Sequence, residues 1–251
     1  MAKSTRYTTA HLSALVCLLL IVTGTTFAGP PFASDDPAPT DYRRFEIYGF
    51  TGGSSSRDGQ SGEAGIDFNY GPVADVQLTA VLPMAVEHAA GGPTVAGLGN
   101  AQLAVKYRFL HQDSFGWDVA VFPRVFLPSA SDRVGDQHAA VFLPFWLGRS
   151  WDSWSTFGGG GCAINRGDNS QNYCVAGWVV AKQVTPKLQL GVEIFHQTAD
   201  TTDGGDSTVF GTGLRYDLNA LVHLLTYGNT GIQNEHDTQQ YSWYGALLFT
   251  F

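Results

Sequence analysis

The side chains able to do chemistry in this 251-residue chain are few and scattered. Two cysteines, Cys162 and Cys174, flank one polar stretch, NRGDNSQN, and are placed to pair across a hairpin in an oxidising compartment. Asp200, Asp203 and Asp206 offer carboxylate oxygens of the kind calcium takes, but their spacing fits no established calcium loop. Arg166-Gly167-Asp168 reads as a chance tripeptide. His88, His196 and His236 fall at loop edges, and the spacing assembles no Ser-His-acid set. There is no phosphate-binding loop, dinucleotide fingerprint or Cys/His zinc pattern. The expectation is a protein that is not an enzyme, with no metal and no cofactor.

The more informative charges are those that alternate with apolar residues. Arg44, Glu46, Glu63, Asp67, Lys106, Arg108, Asp118, Arg124, Glu193 and Arg215 occupy positions complementary to an apolar face. In Ala101 to Phe109, for example, Leu103, Val105, Tyr107 and Phe109 interleave with Gln102, Ala104, Lys106 and Arg108. A charge facing lipid at mid-bilayer costs about 2–4 kcal/mol. On a membrane strand these ten side chains therefore point into a lumen. There they line a charge-selective path for solutes, or pair with one another and plug a small barrel.

The elements that must position them are β-strands, because from Tyr42 onward the hydrophobic period is two. Leu188, Leu190, Val192 and Ile194 alternate with Gln189, Gly191 and Glu193, and the same pattern recurs along the chain. About twelve strands are expected. They lie near 43–52, 62–71, 74–86, 100–110, 116–127, 137–148, 154–165, 172–184, 187–197, 208–217, 219–227 and 240–251. The joins alternate long and short. TGGSSSRDGQSG, EHAAGGPTVAGLGN, PSASDRVGDQ, NRGDNSQN, TADTTDGGDS and GNTGIQNEHDTQQ are long. Gly71-Pro72, Gln112 to Phe115, Trp151-Asp152-Ser153, Thr185-Pro186-Lys187 and Leu218-Asn219 mark short ones. Long loops on one side and tight turns on the other are the layout of an outer-membrane barrel. Pro123 and Pro144 fall inside needed strands and belong at bulges or near a rim.

Composition agrees. Charged residues are only 14% of the chain, with 30 Gly, 16 Phe, 10 Tyr and 6 Trp, which suits a protein with much of its surface in lipid. Lys3 and Arg6, the apolar run Leu12 to Val22 and the small-x-small Thr26-Phe27-Ala28 read as an export signal over 1–28, with an apolar run too short to span a bilayer. Its removal takes the net charge from −8 to −10, which opposes nucleic-acid binding. Residues 29–41, GPPFASDDPAPTD, are expected to be a flexible periplasmic lead. Residues 42–251 are expected to form one closed all-β antiparallel transmembrane barrel in the outer membrane of a Gram-negative bacterium.

The C-terminus carries a further signal. Leu247, Phe249 and Phe251 share one face of the last strand and end the chain. Barrel assembly machinery binds such a strand as an added β-edge, with alternate side chains in pockets. The expected surroundings are outer-membrane lipid and lipopolysaccharide, with a small-molecule solute, no nucleic acid and a monomeric state.

Three stretches resemble one family. FNYGPVADVQLTAVLPM (68–84) is similar to its strand–turn–strand segment. GLGNAQLAVKYRFL (97–110) resembles its Gly-x-Gly-Asp/Asn stretch followed by an alternating strand ending in Lys-Tyr-Arg-Phe. RVFLPSASDRVG (124–135) is similar to its Leu-Pro-Thr-Gly-Asp segment, except that Ser129 and Ala130 replace the Thr-Gly pair. These are the outer-membrane transporters named after the MetA pathway of phenol degradation. The resemblance implies passive diffusion of small, aromatic or otherwise hydrophobic solutes and transfers no binding residue. Two other readings stay open. One is a barrel enzyme acting on lipid or lipopolysaccharide, which needs a Ser and a His side by side at the lipid-facing rim. The other is a plugged structural or adhesive barrel.

Overall fold

A computed structural model describes residues 31–134, 137–167, 169–236 and 238–251. The export-signal reading of 1–28 lies outside the described residues, as does Asp168. Among the described residues fourteen strands follow one another. They are β1 (Phe45–Ser55), β2 (Gly59–Val73), β3 (Val76–Ala89), β4 (Thr94–Leu98), β5 (Gln102–Leu110), β6 (Asp118–Val121), β7 (Arg124–Phe126), β8 (Ala140–Trp151), β9 (Trp154–Ile164), β10 (Tyr173–Thr185), β11 (Leu188–Gln197), β12 (Ser207–Asp217), β13 (Val222–Gln233) and β14 (Tyr241–Thr250). A single helical turn, α1 (Gln112–Phe115), joins β5 to β6. Both β4 and β5 pair with β3, and both β6 and β7 pair with β5 and β8. Each of these couples is one interrupted stave, so the sheet has twelve.

The sheet closes on itself. β1 pairs antiparallel with β2 on one edge and with β14 on the other, from Glu46↔Thr250 to Ser55↔Tyr241. The seam runs to the last residue, where Phe45 and Phe251 exchange backbone hydrogen bonds of 3.2 and 3.0 Å. Closure leaves no edge, which hydrocarbon would not tolerate. The inside-out pattern of a membrane barrel follows. Leu82 is 66% exposed on the outer face, whereas Lys106 is 3% and Glu193 1% exposed within. Near the short turns Phe45 stacks on Tyr70 at 4.5 Å and leans on Phe68 at 5.5 Å, as in an interfacial aromatic girdle.

Three expected loops are partly strand. β1 and β2 run on to leave a turn of only 56–58, β4 extends the hairpin of β3, and β13 continues to Gln233. Ladder hydrogen bonds continue there while the apolar alternation lapses, so the sequence reads as loop.

The prolines need no bulge. Val121↔Phe145 and Arg124↔Phe142 keep one register across the interruption between β6 and β7. Pro123 and Pro144 share that gap, and their carbonyls accept from Val105 N and Phe122 N, each at 3.1 Å. A residue's N–H and C=O point to the same neighbour in an antiparallel strand. Pro123 therefore withholds a donor from the ladder with β5, and Pro144 withholds one from the ladder with the stave of β6 and β7.

Cys162 and Cys174 are directly paired on β9 and β10 and form a disulfide. Alkylation of the denatured, unreduced protein is expected to find neither thiol free. Replacing both by Ser is expected to lower stability by about 3 kcal/mol, the entropy of a loop of this length; labelling of both thiols in the parent protein would refute the bond.

Candidate functional site

The lumen of the barrel is not empty. Residues 31–41 enter from the turn end and rise through it, with Ser34 fully buried and Asp36 2% exposed. Of the lead expected over 29–41 to be flexible and periplasmic, the described residues 31–41 lie instead in the lumen. The segment is held because inward-facing wall residues satisfy its polar groups. At the turn end Arg43 N donates to Gly71 O at 2.7 Å, and any side chain at Gly71 would collide with the backbone of Thr40 and Asp41. Thr40 N and Oγ1 donate to Gln77 Oε1 at 2.8 and 3.0 Å, and Gln77 Nε2 donates to Asn69 Oδ1 at 2.7 Å.

Higher up, Lys106 Nζ contacts Asp35 Oδ1 at 3.0 Å and donates to the carbonyls of Asp36 and Ala38 at 2.9 and 3.4 Å. Arg124 reaches Asp35 Oδ2 at 4.0 Å and donates to Gln102 Oε1 at 3.2 Å. Both cations lie over the Phe122 ring, 4.8 and 4.7 Å from its centroid. Above them the Glu193 carboxylate accepts from Ala33 N at 3.0 Å and from Ser34 N at 2.6 Å. Phe32 packs edge-on against Phe157 and Tyr227, with ring centroids 5.9 and 5.6 Å apart.

Glycines make room for this path. A Cβ on Gly191 would sit 2.5 Å from the Phe32 ring, one on Gly213 2.9 Å from it, and one on Gly148 2.9 Å from Pro37. A Cβ on Gly177 would overlap Ser34 Oγ. β8, β10, β11 and β12 each thus leave out a side chain where the segment passes.

The ten charges expected in the lumen divide into groups. Glu46, Asp67, Lys106, Arg124 and Arg215 surround a small cavity of about 80 Å³ beside Asp35 and Asp36. Glu193 caps the segment from above. Glu63 stands alone toward the loop end, where it and Asp67 line a larger cavity of about 570 Å³. Arg108 and Asp118 are not with them. Arg108 binds Asp75 at 2.8 Å and approaches Asp118 at 3.7 Å, among the turns. Arg44 is exposed where the segment leaves the barrel. Lys106 and Arg108, two residues apart on one face, thus answer different carboxylates and do not repel across a shared path. Arg215 meets Asp217 at 3.1 Å and His223 at 3.1 Å. Leu247 and Phe251 face outward with 41% and 52% exposure.

Asp35, Asp36, Phe32 and Thr40 were missed by the sequence reading. The usable signal was the pair of acids in SDDPAP, set among prolines, opposite lumenal cations that lacked enough acids on their own strands. Elsewhere, Asp200 accepts from Gln197 Nε2 at 3.1 Å and Asp206 from Ala199 N at 2.9 Å, so these carboxylates brace their own loop. His88 and His196 bond to Thr94 and Thr208.

The family described as "Putative MetA-pathway of phenol degradation" matches residues 37–248. The chain belongs to this family. No curated protein matches it. Among solved structures, an outer membrane channel from Pseudomonas putida F1 superposes with a TM-score of 0.68 at 11% identity, over 90% of this chain and 100% of that one. NanC porin gives 0.55 at 9% identity over 82% and 98% of the two chains. KdgM porin gives 0.53 at 10% identity over 83% and 99%. At these identities the likeness establishes the outer-membrane barrel fold.

Breaking a buried ion pair from one side costs about 3–5 kcal/mol. Lys106→Met is therefore expected to release residues 31–41 while the barrel stays intact. Protease added to the folded protein should then cut within this segment in the variant and not in the parent. Equal resistance in both would show that Lys106 does not hold it.

Proposed function

We propose that this chain is an outer-membrane channel that passes small solutes by passive diffusion, with residues 31–41 as the movable occupant of its lumen. The observation that carries this reading is the way the lumen is filled. The wall's own side chains do not close it. A separate peptide does, held by side-chain contacts and not by a β-ladder. Twelve strands lie between eight, which side chains fill, and sixteen, which leave an aqueous channel. Withdrawal of the segment would join the 570 Å³ cavity at the loop end to the 80 Å³ cavity beneath it. Glu46, Asp67, Lys106, Arg124, Glu193 and Arg215 would then face the path, whereas Arg44, Arg108 and Asp118 would stand at its turn-end mouth. The family and the named channels and porins support a transport role for this barrel, and the solute would be small and partly aromatic or hydrophobic.

Within this reading, residues 1–28 direct export and are removed, and the barrel functions as a monomer in lipid and lipopolysaccharide. Leu247, Phe249 and Phe251 would present the last strand to the assembly machinery. A second reading, a plugged structural barrel, draws on the same segment: its buried polar contacts could hold it in place permanently. Conductance separates the two. In planar bilayers the full chain is expected to show small, intermittent openings. Deletion of residues 31–40 is expected to give continuous openings several-fold larger. A deletion variant that folds, migrates as a heat-modifiable barrel and still conducts nothing would overturn the channel and favour the structural reading.

A further inference from the structure

The larger cavity has walls of unusual chemistry. Its described lining includes Glu63, Asp67 and Asp200 but no Lys, Arg or His. Its volume of about 570 Å³ is that of a small-molecule site. The Phe32 side chain forms part of its floor, and Phe50, Tyr227 and Tyr244 contribute to its walls.

Strand register gives the arrangement. Gly52 pairs with Glu63 on β2 and with Tyr244 on β14. The three form one row across neighbouring strands, and the middle one has no side chain. A Cβ on Gly52 would sit 3.6 Å from Tyr244 Cδ2, so the phenol ring lies beside the glycine, on the same row as the carboxylate, with strands spaced about 4.8 Å apart. Phe50, the next inward residue toward the turn end, lies near-parallel to Tyr244 with centroids 6.2 Å apart. Its register partners are the small Gly65 and Ala246, and it is buried in a cluster with Tyr48, Val81 and Leu225 while still contributing to the cavity lining. Asp67 stands one inward step below Gly65 and accepts from Asn69 Nδ2 at 2.9 Å. Arg124 does not line this cavity; it donates to Gln102 and approaches Asp35. Among the described residues Glu63 makes no hydrogen bond and no ion pair.

We propose that this cavity binds a small aromatic cation, with its ring against Tyr244 and Phe50 and its ammonium paired with Glu63. The proposal rests on the channel reading and deepens it by naming what the vestibule accepts. Each half of such a solute meets its complement. An ammonium gains from a carboxylate and from aromatic faces, and a ring gains from offset stacking. An aromatic anion would meet three carboxylates and no cation in the described lining.

Calorimetric titration of the purified full chain in a non-ionic detergent tests this without any need for flux. The probes are tyramine, 4-ethylphenol, 4-hydroxyphenylacetate and ethylammonium, which separate ring from charge and reverse the charge. Tyramine is expected to bind at least about tenfold more tightly than each of the others, the scale of one charge-assisted contact. Glu63→Gln is expected to reduce tyramine to the level of 4-ethylphenol, and Asp67→Asn to weaken it less. Glu63 bonds to nothing in the wall, so its replacement leaves the fold unburdened; retained heat-modifiability checks this. Binding of 4-hydroxyphenylacetate as tight as tyramine, no tyramine binding, or an unchanged affinity in Glu63→Gln would overturn the proposal. Tyramine binding by a barrel that conducts nothing would refute the channel reading and leave the site standing.

Discussion

The hydrocarbon core of a membrane offers no hydrogen-bond partner, so every backbone N–H and C=O that crosses it needs one within the protein. The architecture follows from this constraint. It requires the seam between β1 and β14, which persists to the exchange between Phe45 and Phe251 at the last residue. It also governs where irregularity is tolerated. Pro123 and Pro144 each withhold a donor, one toward β5 and one toward the stave of β6 and β7, and at each the proline carbonyl still accepts, from Val105 N and from Phe122 N. The register on either side is unchanged, so the wall stays continuous.

A closed wall creates the next physical problem. Twelve strands enclose more space than their inward side chains fill, and a lumen lined with buried charge needs compensation. Residues 31–41 meet both needs. Asp35 and the carbonyls of Asp36 and Ala38 receive Lys106, and Glu193 receives the amides of Ala33 and Ser34. The polarity is reciprocal: the wall's cation meets the segment's acid, and the wall's acid meets the segment's donors. Apart from the backbone bond of Arg43 to Gly71 just past its end, these polar contacts are made by side chains on the wall. The segment therefore differs in kind from the staves, which are held by ladders of backbone bonds. An occupant of this sort can leave without breaking the barrel.

Charge is distributed along the axis to match. Cations concentrate beside the segment, where Lys106, Arg124 and Arg215 meet Asp35, Asp36, Glu46 and Asp67. Toward the loops the charges in the described lining of the larger cavity are carboxylates, set among aromatic rings. The lumen is thus a sequence of two environments, a compensated constriction and an acidic aromatic vestibule. Small inward residues serve both, with Gly177, Gly191 and Gly213 clearing the segment's path and Gly52 lying beside the Tyr244 ring above it.

Local pattern alone determined the strands, the closure and the lipid-facing side, because a strand's period of two is written in consecutive residues such as 101–109. The disulfide was legible for a related reason: Cys162 and Cys174 flank one hairpin, and hairpin neighbours are near in sequence. What the charged residues do was not legible. Lys106 and Arg108 share a strand face, yet one grips the lumenal segment and the other joins Asp75 and Asp118 among the turns. The position of residues 31–41 was decided only by tertiary structure. A proline-rich acidic stretch has no periodicity to announce a partner, and its contacts come from strands 71 and 159 residues away, at Lys106 and Glu193. Its place became determined only when closure of the barrel brought β5, β10, β11 and β12 around one axis, with their charges and missing side chains facing the same narrow space.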